Sequence, residues 1–196
     1  MLLNRKLFFV RERVAVLKLT DTYDILDPET GQQIGIAKEE PGGLAKALRV
    51  VAKKGKLPTT VNVYEDEKQP PLFSIKRPFT FVRSKLSITD NSGTSIGYMK
   101  SKLLTIGGGL HVYDTKDQKV AEVKGDWKGW NFQLVAADGT ALGSITKKWG
   151  GIGRELFTSA DNYMVSVEDS VAHDPKLSTL LLAAALSIDM TYKEKK

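Results

Sequence analysis

A chain of 196 residues, 41% hydrophobic and 27% charged, can bury a sizeable core and is too apolar to be disordered. It contains no cysteine, which excludes a disulfide framework, a thiolate metal site, a cysteine nucleophile and palmitoylation. The formal net charge of +6 favours anionic partners, which include membrane headgroups, nucleic acid and acidic proteins.

Near the N-terminus, the apolar run Leu7-Phe8-Phe9-Val10 ends at Arg11, short of the roughly 7–15 apolar residues of a secretory signal. The expected location is therefore cytoplasmic. A pattern then recurs four times. Tyr23 to Gly31 is followed by Gln32-Gln33-Ile34-Gly35, and Leu86 to Gly93 by Thr94-Ser95-Ile96-Gly97. Leu110 to Asp117 is followed by Gln118-Lys119-Val120-Ala121, and Phe132 to Gly139 by Thr140-Ala141-Leu142-Gly143. Each unit is an alternating strand, an Asp/Gly turn and a second strand that opens x-x-apolar-small, which is the signature of a β-hairpin. The small residues Gly35, Gly97, Ala121 and Gly143 suit close packing by another element, and the C-terminal helix is the candidate.

Between the first two units, Leu44, Leu48 and Val51 fall at helical spacing, predicting a helical insertion over 42–54 that stops at Gly55. Strands are predicted at 60–64, at 72–76 and from 79 into the second repeat. After the fourth repeat comes a loop carrying Trp149, followed by a last strand over 163–167.

The final segment, 175–192, is predicted as a helix. Asp174 suits its N-cap and Pro175 its first turn, where the missing N–H costs nothing. Apolar residues fall on every side, so the helix must be enclosed by lipid or by protein. The run Leu177 to Met190 is shorter than a membrane span and carries Ser178, Thr179, Ser187 and Asp189, which favours enclosure by protein. About twelve short strands suggest a closed antiparallel barrel, and a barrel of that size has a lumen too wide for side chains alone. The helix fills it. The expected fold is mainly β: a single domain over 1–196, with a closed barrel around a central C-terminal hydrophobic helix and no integral membrane span.

The segment from Ile145-Thr146-Lys147-Lys148-Trp149-Gly150-Gly151-Ile152-Gly153-Arg154 through Tyr163 resembles the C-terminal signature of the phospholipid scramblase family. So does the helix ending Leu186-Ser187-Ile188-Asp189-Met190. Tyr23 to Gly31 and the hairpins are similar to the same family and to its relatives, the LURP-one-related proteins and the tubby C-terminal domain. The resemblance implies a twelve-stranded barrel around a central helix. It also implies association with phospholipids, phosphoinositide headgroups or nucleic acid, and no defined catalytic reaction. The family's proposed calcium segment maps onto Ser159 to Ser170. Serine stands at its first and last positions, so the carboxylates that calcium needs are reduced and no metal is expected.

Ten residues form the candidate anion site: Lys76, Arg77, Arg83, Lys85, Lys100, Lys102, Lys147, Lys148, Trp149 and Arg154. Lys and Arg pair with phosphate, and Trp suits a membrane interface. The competing reading is solvated strand and loop charge. His111 and His173 have no grouped partners for a zinc site or a catalytic triad, and no G-x-S-x-G occurs. No cofactor, metal or catalytic residue is expected. Asp189, near the C-terminal end of a buried helix, opposes the helix dipole and needs a Lys, Arg or Tyr partner from the barrel wall; its expected role is structural. The functional expectation is a non-enzymatic protein peripheral to a membrane, binding anionic phospholipid or phosphoinositide headgroups. The alternative is a nucleic-acid- or protein-binding scaffold.

Overall fold

A computed structural model describes residues 1–13, 20–43, 45, 57–79, 85–102, 109–126, 128–147, 162–172 and 174–192. The strands are β1 (Leu7–Glu12), β2 (Thr22–Leu26), β3 (Gln33–Glu40), β4 (Thr59–Tyr64), β5 (Phe73–Arg77) and β6 (Lys85–Asp90). They continue with β7 (Ser95–Ser101), β8 (Gly109–Tyr113), β9 (Lys119–Asp126), β10 (Asn131–Ala136), β11 (Ala141–Thr146) and β12 (Asn162–Val167). Each pairs antiparallel with its sequence neighbour, and β1 pairs with β12, so the sheet closes. The C-terminal helix spans Pro175–Tyr192. The helical insertion predicted over 42–54 lies outside the described residues except at Gly42, Gly43 and Ala45.

The four sequence repeats are four hairpins with a common irregularity. Register shifts between Ile25 and Leu26, Ile88 and Thr89, Val112 and Tyr113, and Leu134 and Val135. In each case the partner strand carries one extra residue: Ile34, Ile96, Val120 or Leu142. The apolar residue of the x-x-apolar-small pattern is therefore the bulge residue, and bulges supply the added twist a closing sheet needs. Asp carboxylates fix the turns. The Asp27 carboxylate accepts from the Glu29 N–H at 2.9 Å, Asp90 from Ser92 at 2.9 Å, Asp114 from Lys116 at 2.8 Å and Asp138 from Thr140 at 2.9 Å.

Inward strand residues such as Phe8, Val10, Ile25, Ile75, Val112 and Leu134 join the helix in one buried cluster. Every described side chain from Ser178 to Thr191 is buried, on all faces of the helix. Asp174 Oδ1 accepts from the Lys176 N–H at 2.8 Å and caps the helix start. No helix among the described residues is long and apolar enough to cross a membrane. On the opposite side of β1, β2 and β12, Phe9, Leu26 and Met164 form a second small cluster.

Of the four small residues, Gly143 is the one whose missing Cβ admits the helix. A Cβ there would lie 2.8 Å from Leu181 Cδ2 and 2.3 Å from the Ser166 carbonyl oxygen. At Gly35 the close neighbours are Leu2 and the Tyr64 carbonyl, and at Gly97 the Tyr113 carbonyl, so those positions serve the packing of the wall strands and of Leu2 instead. Gly143→Ala is expected to lower stability by about 1–3 kcal/mol through overpacking, read from denaturant midpoints. An unchanged midpoint would show that the helix does not press on β11.

Candidate anion-binding face

Strand register decides which basic residues meet. On the outer wall, Thr60, Lys76, Ser87, Tyr98 and Tyr113 stand opposite one another across β4 to β8. A second row holds Lys85, Lys100, His111 and Glu122. The Tyr98 and Tyr113 rings stack with centroids 4.9 Å apart and planes 10° from parallel. The Lys85 ammonium lies 4.2 Å from the Tyr98 centroid, and that of Lys100 lies 4.9 Å from Tyr98 and 5.1 Å from Tyr113. The ring faces hold these cations without neutralising them. The Tyr98 hydroxyl donates to Asp117 at 2.8 Å. Desolvation, and then that bond, push its pKa up to about 12, so the platform stays uncharged across the physiological range.

Lys76, Lys85 and Lys100 make no ion pair among the described residues, whereas Lys102 does. Lys102 bonds Glu122, which also meets Lys119 at 3.2 Å and lies 3.8 Å from His111 Nδ1. The Lys102 bond leads in holding the Glu122 carboxyl down at about 2, outweighing its burial. Lys102 is thus largely neutralised by its neighbour. Lys147 sits on a different part of the wall, at the end of β11. Its ammonium lies 4.3 Å from the Trp130 ring, which stacks on Tyr163 at 5.2 Å. Arg83, Lys148, Trp149 and Arg154 lie outside the described residues, as do Trp127, His173 and the first positions of the calcium segment, 159–161.

Arg77 departs from the predicted surface patch. Register places it opposite Thr59, with Lys76 pointing outward and Arg77 inward. It is 2% exposed, and its Nη1 donates to the Met190 carbonyl oxygen at 2.8 Å. The last turn of the helix contains no basic residue, so the wall supplies the cation its C-terminus lacks. One residue earlier in the helix, the buried Tyr23 hydroxyl donates to Asp189 Oδ2. Burial, and then the nearby Asp189 charge, push the pKa values of Tyr23 and Tyr163 well above the ordinary tyrosine range. These groups pin the helix end and are shielded from solvent.

The described residues contain no group of three or more His, Asp or Glu side chains able to hold a metal. Thr60, Ser87, Tyr98 and Tyr113 belong to the face yet were absent from the predicted set. Alternation marks each as outward, but only the pairing of distant strands shows that they flank the lysines.

A family model described as Scramblase matches residues 12–195. The chain is 26% identical over 209 aligned positions to "Altered inheritance rate of mitochondria protein 25" of Saccharomyces cerevisiae (strain ATCC 204508 / S288c). That match covers 87% of this chain and 63% of the yeast protein's length. No solved structure matches.

Proposed function

The chain belongs to the Scramblase family, and from that membership we propose that it is a non-enzymatic barrel protein that docks on anionic phospholipid headgroups at a membrane surface. The docking face is the outer wall of β5 to β7. One observation carries the reading: Lys76, Lys85 and Lys100 lie on three adjacent strands with no carboxylate partner among the described residues, beside a flat aromatic pair. Phe79, just past β5, is 51% exposed and adds an apolar contact at the edge of the same face. The hairpin turns 27–32, 65–72 and 114–118, at the opposite end of the barrel from the Lys76, Lys85 and Lys100 ends of their strands, carry more acidic than basic residues. That distribution orients the molecule with its lysines toward an anionic surface.

Each lysine near such a surface contributes about 1 kcal/mol, so losing three weakens binding on the order of a hundredfold or more. The test is cosedimentation with phosphatidylcholine vesicles containing phosphatidylserine. Because the relative's name refers to mitochondrial inheritance, a parallel arm uses cardiolipin vesicles. Wild type is expected to bind at low salt and release as salt rises. Lys76→Glu/Lys85→Glu/Lys100→Glu is expected to fail, while Lys116→Glu/Lys176→Glu, at the turn end, binds as wild type. Equal binding by the triple variant would refute the assignment of the face.

A further inference from the structure

We propose that Lys102 is a latent member of the docking face, laid flat against the barrel wall and held there by Glu122, and that Glu122 thereby sets how dense an anionic surface must be before the barrel docks. The docking itself rests on the headgroup reading above. Lys102 follows the end of β7, two residues after Lys100 and on the same outward side. Its backbone N–H donates to the Gly109 carbonyl at 3.1 Å, and Gly109 stands opposite Lys124 on β9. Lys102, Gly109 and Lys124 thus form a row beside the row of Lys85, Lys100, His111 and Glu122.

Two features hold Lys102 down. Gly109 has no side chain, and the Lys102 stem lies against that gap: its Cδ and Cε are each 3.3 Å from where a Cβ would stand. The stem therefore runs along the wall, which leaves the Lys102 side chain 11% exposed, while Lys124 in the same row is open to solvent. At the end of the stem the ammonium bonds Glu122 in the neighbouring row. Glu122 also meets Lys119 at 3.2 Å, and its carboxyl, held down at about 2 chiefly by the Lys102 bond, stays charged across the physiological range. An ion pair at the surface contributes little net, so headgroup oxygens displace the carboxylate once anions are dense enough. Below that density Glu122 keeps Lys102 and adds its own repulsion toward the surface.

Two measurements on the full chain test this. The first is acetylation by a water-soluble amine-reactive ester without vesicles, read residue by residue by mass spectrometry. Lys102 is expected to react more slowly than Lys124 in wild type, and Glu122→Gln is expected to speed Lys102 and leave Lys124 unchanged. Equal rates at the two lysines in wild type overturn the latch. The second is cosedimentation with phosphatidylcholine vesicles containing phosphatidylserine. Glu122→Gln is expected to bind about fivefold tighter and to reach half-saturation at a lower phosphatidylserine content. Glu67→Gln makes the same change in net charge at the acidic turn end and is expected to bind as wild type. Lys102→Ala/Glu122→Gln is expected to lose the gain. An equal gain in Glu67→Gln, or a gain that survives in the double variant, would assign the effect to bulk charge and overturn the role of Lys102. Wild-type binding without a gain in Glu122→Gln overturns this inference alone. If neither protein binds vesicles, the headgroup reading falls and takes this inference with it.

Discussion

A chain ending at Asp174 is expected not to fold. The truncation removes Leu180, Leu181, Leu182, Leu186, Ile188 and Met190, each no more than 6% exposed, together with a run of fully buried alanines. Burying each of the six large side chains stabilises by about 1.5–3 kcal/mol, so together they rival the roughly 5–15 kcal/mol net stability of a typical domain. The wall cannot collapse to compensate, because twelve paired strands fix the circumference. The truncated chain should show no cooperative thermal transition and should bind a hydrophobic dye. A point change scales the same effect down: Leu186→Ala is expected to cost about 2–5 kcal/mol. A cooperative melt of the truncated chain near that of the full chain would show that the barrel does not depend on its filler.

Alkaline pH is the second large lever. Tyr23 and Tyr163 are buried, and their folded pKa values are raised well above the ordinary value of 10.0. Their protonated forms contribute stability that is fully present below the unfolded tyrosine pKa. Above about pH 10 the unfolded chain releases protons that the folded chain retains, so stability falls as pH rises until the folded groups titrate too. The two tyrosines together give a slope of about 3 kcal/mol per pH unit in that window, read from denaturant midpoints at successive pH values. The two should separate by mutation. Tyr163 Oη has no hydrogen-bond partner among the described residues, so Tyr163→Phe should be nearly neutral at pH 7 and should remove about half the slope. Tyr23→Phe also removes a share of the slope, but it withdraws the hydroxyl that serves Asp189 and should cost about 1–3 kcal/mol at pH 7. A flat profile between pH 9 and 11 would contradict the burial of both hydroxyls.

The barrel was legible because its information is local. Four Asp/Gly turns at recurring spacing mark four hairpins, and an apolar helix without a polar face requires an enclosure. The strand β1 was not legible. Leu7 to Glu12 has buried residues on both faces, so it lacks the alternation of a half-exposed strand, and its apolar run resembles a short leader. The bulges were visible as a motif but not as geometry. The repeated apolar-small pair announces that something recurs, while the extra residue appears only when Ile25 is seen opposite Gly35 and Leu26 opposite Gln33.

The site was legible in part, for the same reason. Alternation along β5 to β7 separates outward Lys76, Lys85 and Lys100 from their inward neighbours. It does not reveal that Glu122, on β9, neutralises Lys102, because that pair is 20 residues apart in sequence. Arg77 illustrates the limit of composition. Next to Lys76 it reads as half of a basic pair, yet the strand's period of two sends it to the opposite face, where the helix end needs a cation. Asp189 needed a partner on physical grounds alone; that Tyr23 supplies one, 166 residues away, is a property of barrel closure.

Because the chain has no cysteine, a single introduced thiol reports on the enclosure of the helix without background. Ala184 is fully buried at the middle of the helix, and Thr115 is exposed in a hairpin turn. The measurement is the rate at which a water-soluble maleimide modifies Ala184→Cys relative to Thr115→Cys, each in a variant whose Tm matches that of the parent chain. With the helix sheathed by the barrel, Ala184→Cys should react only through opening of the fold, on the order of a thousandfold or more slower than Thr115→Cys. Equal rates would place the helix outside the barrel.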